Sequence, residues 1–231
     1  EGSSNDSILF TRNGEGRWNG IRFDNKDVMQ DSSKLKYCTV EYSTTGSGDW
    51  YGGGGIYIDA PKVLISDCRV RRNIAQYGGG IACLSGAKII NTEIVHNEAS
   101  QTAGGIYIDG QATLAGCVIA FNTAYGYPAF EASQYPLLMN CNICYNTTLS
   151  TEPWAVTMSG NFRLHNSIVW HNNPGNINLY VNGANIAPEF RYCNIQGGIK
   201  SIFPAYANIA GLFWGVYEDC IDKEPGFLDG A

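Results

Sequence analysis

The sequence contains few charged residues and no long apolar run. Lys, Arg, Asp and Glu make up 16% of its 231 residues, and the net charge is −6 with an isoelectric point near 5.0. An acidic balance argues against a protein that binds the phosphate backbone of nucleic acids. No apolar stretch approaches the roughly 18 residues that a membrane-spanning helix needs. No positively charged, apolar leader precedes Glu1, so we expect a chain that is cytoplasmic, already processed or excised from a longer one.

The motifs of two common ligand sites are also missing. Glycine runs precede apolar segments twice in residues 52–84, GGGGIYIDAPKVLISDCRVRRNIAQYGGGIACL. A phosphate-binding loop would need a following helix and, in ATPases, a Gly-Lys-Ser/Thr triplet. The eight cysteines include one Cys-x-x-Cys spacing, CNIC at 141–144, and the repeat described below scatters them too widely for four zinc ligands. We therefore expect no metal site and no cofactor, with a calcium requirement left open.

Two patterns recur in step about every 25 residues. The first is G-I-x-Φ, where Φ is apolar, with copies at Gly20, Gly55, Gly80, Gly105, Ala129 and Ala155. The second is Φ-x-x-C-x-Φ-x-x-N, with seven copies. Its three columns are Cys38, Cys68, Thr92, Cys117, Cys141, Ser167, Cys193; Val40, Val70, Ile94, Ile119, Ile143, Val169, Ile195; and Ser43, Asn73, Asn97, Asn122, Asn146, Asn172, Gly198.

This repeat predicts the fold. Short β-branched or aromatic segments between Gly, Asn and Ser indicate strands, and like residues at a fixed period indicate a solenoid. Leucine-rich repeats would need a helical half, which does not occur. We predict an all-β, single-stranded parallel β-helix of about seven coils, about 34 Å long at roughly 4.8 Å per coil. Residues 1–17 are predicted to form a partial coil, 18–198 the regular coils, and 199–231 an irregular C-terminal cap that breaks the repeat.

In this fold, each column has a structural role. The asparagines are predicted to adopt the left-handed conformation at a corner and to pair with one another as a ladder. Glycines 52–55, 78–80 and 104–105 are predicted to form a second corner, where a side chain would obstruct the bend. The inward cysteines are interpreted as buried free thiols rather than disulfides. The redox states of Cys144 and Cys220, which the repeat constrains least, stay open.

The pattern GGGIxΦ…ΦxxCxΦxxNxA, the segment SIVWHNN and the ending NIAG…CIDKEPGFLDG resemble the parallel β-helix repeat proteins of the pectate-lyase-like superfamily. More narrowly, the chain is similar to secreted or surface-anchored bacterial members with a NID-x-DP-x-F ending. The resemblance covers nearly the whole chain and implies a right-handed helix, export, and a secreted or cell-surface location. It implies no activity, because this superfamily includes lyases, hydrolases, tailspikes and adhesins. The catalytic motifs of polygalacturonases and of pectate lyases are missing.

Strand alternation places one candidate binding surface on the outside of the solenoid. Its two outward columns are Arg22, Tyr57, Ala82, Tyr107, Glu131, Thr157 and Asp24, Asp59, Leu84, Asp109, Ser133, Ser159. Aromatic rings with flanking carboxylates suit carbohydrate stacking and hydroxyl hydrogen bonds. The predicted carbohydrate-binding residues are therefore Tyr57, Asp59, Tyr107, Asp109, Glu131 and Arg22. Trp50, Tyr51, Tyr77, Tyr125 and Tyr127 could form a wall beside them. The alternative is a solvated strand face rich in β-favouring tyrosine.

Catalysis has weaker candidates. A hydrolase needs two carboxyl groups flanking the scissile bond, and Asp59, Asp109 and Glu131 are available. A lyase needs a cation and a base, for which Arg72 and His96 are the nearest candidates. His96 shares a corner position with Arg72, Phe121, Tyr145 and His171, and Arg69 is expected to form an ordinary ion pair with Glu93.

We therefore expect a non-catalytic extracellular β-helix module, monomeric within a larger protein, that binds a polysaccharide or cell-surface glycan or acts as an adhesin. Every candidate group recurs as a column, whereas an active site usually interrupts a repeat. The alternatives are a polysaccharide lyase or glycoside hydrolase acting on an acidic polysaccharide, and a purely structural spacer.

Overall fold

The structure is a computed structural model that describes residues 1–4, 6–24, 32–46, 52–151, 154–180, 187–204 and 215–226. Within these ranges it is all-β, with a single short 3₁₀ helix at Gly198–Ser201. The chain winds as a parallel β-solenoid of about six turns. The predicted fold class is confirmed, and the predicted seven coils differ only slightly from this number.

The strands form four parallel sheets, which we number 1 to 4 in the order in which the chain passes through them; within the described ranges, four turns have a strand in every sheet, and the others have none in sheet 3. Sheet 1 contains Ser33–Lys36, Val63–Ser66, Ala87–Ile90, Thr113–Ala115, Leu137–Met139, Arg163–His165, Glu189–Arg191 and Val216–Glu218. Sheet 2 contains Ile8–Phe10, Cys38–Glu41, Arg69–Arg71, Glu93–Val95, Val118–Ala120, Asn142–Cys144, Ile168–Trp170 and Asn194–Ile195. The short sheet 3 contains Ile74–Tyr77, Glu98–Thr102, Thr123–Ala124 and Thr147–Thr148. Sheet 4 contains Ile21–Phe23, Ile56–Ile58, Ile81–Cys83, Ile106–Gly110, Phe130–Gln134, Trp154–Ser159, Asn176–Tyr180 and Ile202–Pro204.

The core is a stack of equivalent inward residues. In sheet 2 the predicted apolar column from Val40 to Ile195 is in register, strand over strand. Each of its members is at most 3% exposed. A turn alone cannot bury such residues, so each one is covered by the turns on either side. The hydrophobic stabilisation of this fold is therefore shared between neighbouring turns.

The cysteine column also stacks as predicted and extends further than predicted. All eight cysteines are free thiols, and all except Cys220 are buried. Burial raises the pKa of Cys83 and of Cys193 to about 12, so these thiols stay protonated and unreactive near neutral pH. Strand Val216–Glu218 pairs with Glu189–Arg191 and brings the Cys220 sulfur within 3.4 Å of the Cys193 backbone nitrogen. The described part of the tail thus continues the repeat where the pattern predicted a break.

The asparagine ladder lies at the corner between sheets 2 and 3. Each side-chain Nδ2 from Asn73 to Asn146 donates to the Oδ1 of the next asparagine at 2.9–3.1 Å. Each also donates to a backbone carbonyl of the preceding turn, as Asn122 does to Ile94 at 2.8 Å. Each of these Oδ1 atoms accepts from the backbone N–H of the ladder residue one turn earlier. The predicted ladder is confirmed, with both N–H groups of each of these amides used.

The prediction that the asparagines themselves are left-handed is wrong. Positive φ belongs to the residue before each ladder position: Tyr42, Arg72, His96, Phe121, Tyr145 and His171, with φ between 51° and 56°. These residues make the bend, and the asparagine that follows turns inward to hold it. The recurring asparagine is therefore selected for its hydrogen bonds, and not for its tolerance of strained backbone.

The corner between sheets 3 and 4 requires glycine because neighbouring atoms lie where a side chain would begin. A Cβ atom on Gly105 would lie 2.7 Å from Nδ2 of Asn122, the ladder residue beside it. Gly78 has φ +58°, and a Cβ there would lie 2.5 Å from the carbonyl oxygen of Ile81. The corner is therefore tight, and a residue with a side chain would not fit at these positions without a shift of its neighbours.

Replacing Asn122 by Ala should destabilise the protein by roughly 3 kcal/mol or more, because it leaves several buried polar groups without partners. These include the backbone N–H of Asn97 and one N–H of its side-chain amide, both of which donate to the Oδ1 of Asn122. Urea unfolding measures the loss. Asn142→Ala, on the half-buried outer face of sheet 2, is the matched control and should change the free energy of unfolding by less than about 1 kcal/mol. Equal effects of the two substitutions would contradict the ladder's role.

Candidate functional site

The candidate site is the outer face of sheet 4. The predicted outward column is in register through the sheet and extends one strand further to Asn178. Tyr57, Ala82, Thr157 and Asn178 are each at most 8% exposed, yet they point away from the apolar core and are not part of it. A face that is outside the core but screened from solvent differs from a solvated strand face.

Tyr57 is not the open stacking surface that alternation predicts. It is 7% exposed, and the Arg22 guanidinium lies 4.1 Å from its ring centroid. Arg22 also lies 3.9 Å from Asp24. Ala82, one turn further along, has no exposed surface. In the first half of the column, Tyr57 and Ala82 are therefore covered by other parts of the protein.

Tyr107 is half-buried and stands at the boundary between the closed and the polar halves of the column. Its ring meets Tyr77 edge to face, with centroids 6.5 Å apart. The Tyr77 hydroxyl donates to Gln101 Oε1 at 2.7 Å. Of the two tyrosines predicted to line the face, Tyr57 and Tyr107, Tyr107 is therefore the more accessible one. Its ring contacts Tyr77, a contact that strand alternation does not predict.

Loops at the glycine corner form a wall beside this face. The backbone N–H of Tyr127 donates to the Gln101 carbonyl at 2.8 Å, and the Thr148 hydroxyl donates to the Tyr127 carbonyl at 2.8 Å. Tyr125 and Tyr127 are about half exposed, so solvent can reach the side chains of this wall. Trp50 and Tyr51, the other predicted members of the wall, lie outside the described residues.

Glu131 is the most perturbed acid on the face. Its carboxylate accepts a hydrogen bond of 2.7 Å from the Thr102 hydroxyl. Burial raises the pKa of Glu131 above its usual value, and the negative charge of Asp109 raises it further, while the Thr102 hydrogen bond lowers it. Asp109 accepts hydrogen bonds from Ser133 at 3.0 Å and Gln134 at 3.1 Å. Two carboxyl groups therefore share one surface in different environments.

The polar half of the column ends in Thr157 and Asn178, which lie on adjacent strands. The Asn178 amide donates to the Thr157 hydroxyl at 3.5 Å. Its Oδ1 is buried and has no hydrogen-bond partner among the described residues. The sequence pattern does not include Asn178, because this residue follows Thr157 by only 21 residues, whereas the column from Tyr57 to Thr157 has spacings of 24–26 residues. Thr102 was missed as well, since it lies on sheet 3 in no recurring pattern.

The other predicted catalytic residues lie apart from this group. Asp59 is two turns away from Asp109, with Leu84 between them. Arg72 and His96 lie at the corner between sheets 2 and 3. Their column forms a surface stack in which His96, Phe121, Tyr145 and His171 have successive centroid distances of 5.0–5.1 Å. The Arg72 guanidinium donates to the Tyr42 hydroxyl at 2.6 Å. The structure therefore separates the acidic candidates from the basic ones.

A second concavity lies on the outer side of sheet 2. It has a volume of about 340 Å³ and is lined by Ser7, Cys38, Thr39, Asp67, Cys68, Arg69, Asn91 and Glu93. Arg69 and Glu93 form the predicted ion pair between turns, at 2.5 Å. Asn91 donates to Asp67 at 3.3 Å. The polar groups of this cavity thus pair largely with one another.

These features define a parallel β-solenoid with a polar, partly enclosed outer face. The chain matches the family described as right-handed β-helix region over residues 19–205. It belongs to this family, which confirms the right-handed winding. No curated protein and no solved structure matches the chain at a significant level.

Two kinds of feature are absent from the described part of the chain. No helix there is long and apolar enough to cross a membrane. No group of three or more His, Cys, Asp or Glu side chains in those same ranges is placed to hold a metal ion.

The raised pKa of Glu131 predicts a pH-dependent stability. The folded state holds the proton more tightly than the unfolded state, so this group contributes most to stability below its ordinary pKa of 4.5. That contribution is lost as the pH rises through the folded-state pKa. Glu131→Gln keeps an acceptor for Thr102 and removes the titration. The variant should therefore gain thermal stability over the wild type between about pH 4 and about pH 8.

Melting temperatures of both proteins across this range measure the effect. Glu98→Gln changes an exposed glutamate on sheet 3 and should alter the melting temperature little at either end. A difference between Glu131→Gln and wild type that stays constant with pH would show that Glu131 is solvated like a surface residue.

Proposed function

We propose that this protein is an extracellular β-helix module that binds polysaccharide along the outer face of sheet 4 without cleaving it. The observation that carries the proposal is the half-column Tyr107, Glu131, Thr157 and Asn178. These side chains are polar or aromatic, point away from the core and are largely screened from solvent. Sugar recognition combines an aromatic ring with hydroxyl-binding groups.

The dimensions of the face support an extended ligand. The four positions lie on successive strands, roughly 4.8 Å apart, so they span about 14 Å along the solenoid axis. The wall that contains Tyr125 and Tyr127 lies beside them. A linear polymer lying parallel to the axis would contact each turn in sequence. The similarity of the ending CIDKEPGFLDG to surface-anchored proteins supports an extracellular location and a place within a larger protein.

Glycoside hydrolysis is the second candidate, because Glu131 and Asp109 have distinct environments. A carboxyl group whose pKa is raised by burial, beside a hydrogen-bonded carboxyl group, is the kind of pair in which one acid can donate a proton while the other stays ionised. The repeat favours binding over cleavage. Asp59 occupies the position equivalent to Asp109 two turns away, whereas an active site usually interrupts a repeat. Release of reducing ends from a bound polymer, lost in Glu131→Gln, would establish hydrolysis instead.

Tyr107→Ala should abolish or strongly reduce binding, because it removes the accessible aromatic ring of the face. Affinity electrophoresis in gels containing each of a panel of neutral and anionic polysaccharides measures the retardation. Tyr192→Ala is the matched control, since Tyr192 is 54% exposed at the corner between sheets 1 and 2. It should be retarded like the wild type. Absence of retardation of the wild type by every polymer would refute the binding function.

A further inference from the structure

The proposed binding face contains one polar atom that the protein does not satisfy. Asn178 is 6% exposed, and its Oδ1 has no hydrogen-bond partner in the described ranges. A buried acceptor without a donor is destabilising, and in native proteins such groups are rare. Its neighbour Thr157 is itself only 8% exposed and is its hydrogen-bond partner at 3.5 Å, the limit of a hydrogen bond. The pair is positioned to accept a further partner from outside.

The chemistry of this partner follows from the amide. In the present orientation Asn178 needs a donor at Oδ1. If the carboxamide turns over, Thr157 donates to its oxygen and the amide N–H groups need an acceptor instead. A hydroxyl group satisfies both arrangements, because it donates one hydrogen bond and accepts two. An ionised carboxylate only accepts, and an ammonium group only donates.

The charges around the pair disfavour an anionic ligand. Glu131 lies on the strand adjacent to Thr157, and Asp109 lies close enough to Glu131 to raise the pKa of that carboxyl. The outward positions in this half of the sheet are Tyr107, Glu131, Thr157, Asn178, Asp109, Ser133 and Ser159. None of these seven is a lysine or arginine. Arg22, the cation of the same column, is six strands from Asn178 and is engaged by Tyr57 and Asp24.

We propose that Glu131, Thr157 and Asn178 form a subsite for the hydroxyl groups of a neutral polysaccharide, and that Asn178 selects for hydroxyl donors. This inference rests on the proposed polysaccharide-binding function and names its substrate class. It replaces the acidic polysaccharide expected for the enzymatic alternative. Glu131 accepts or donates to a sugar hydroxyl beside Thr102, Thr157 provides a hydroxyl of its own, and Asn178 receives the donor that it lacks. Tyr107 packs against the next sugar ring.

Asn178→Leu separates a binding role from a structural one. Leucine is of similar size and carries no polar atom, so burying it in place of an unsatisfied amide should leave the melting temperature unchanged or raise it. The same substitution should weaken the binding of a neutral polymer by about tenfold or more. A structural asparagine would show the opposite result, a lower melting temperature with unchanged affinity. Asn142→Leu on sheet 2 is the matched control and should leave affinity unchanged.

The experiment compares two neutral polymers, mixed-linkage β-glucan and galactomannan, with two anionic ones, polygalacturonate and alginate. Affinity electrophoresis of the whole chain gives a dissociation constant for each polymer. Retardation by a neutral polymer, weakened in Asn178→Leu, supports the subsite. Tighter binding of polygalacturonate or alginate would refute the neutral class while keeping the binding function. Wild-type affinity in Asn178→Leu, or a marked loss of its thermal stability, would refute the subsite. No retardation by any of the four would refute the binding function and the subsite together.

Discussion

The hydrogen-bonded register between successive turns is the constraint on which the rest of this structure depends. A single turn has no core of its own, so its inward residues are buried only if the next turn lies directly over them. The asparagine ladder enforces this alignment, because each amide joins the turn before it to the turn after it. The adjacent glycine corner must then approach closely, as Gly105 does beside Asn122. Inward positions accordingly vary little along the axis, and functional differences are left to the outward positions.

The outer face of sheet 4 illustrates this division. Its inward neighbours from Ile56 to Leu179 form one apolar stack, whereas the outward column changes character halfway along. The half near Arg22 and Tyr57 is closed by a cation–ring contact. In the half from Glu131 to Asn178, Glu131 is half-buried, Thr157 and Asn178 are buried, and the Asn178 Oδ1 has no hydrogen-bond partner among the described residues. Both halves of the column share the same backbone geometry. Their side chains determine that the first half is covered and that the second has polar groups available for a ligand.

The periodic part of the molecule could be predicted from the sequence, because stacking repeats residue types as well as positions. The columns of Val40, Cys68 and Asn97 were recognised on that basis and are confirmed. Alternation also identified the outward column, but it says only which way a side chain points. It does not show what covers that side chain, so the predicted exposure of Tyr57 was wrong. Asn178 was missed because it follows Thr157 by only 21 residues, which breaks the period of about 25. Thr102 was missed because its role arises from a contact between sheets 3 and 4.

Chemical-shift mapping of the ¹⁵N-labelled protein during titration with mixed-linkage β-glucan oligosaccharides tests the location of the site most directly. The account predicts that the largest changes fall on Tyr107, Glu131, Thr157 and Asn178, including the side-chain amide of Asn178. Changes centred instead on the His96–Phe121–Tyr145–His171 stack, or on the cavity beside Arg69, would contradict it.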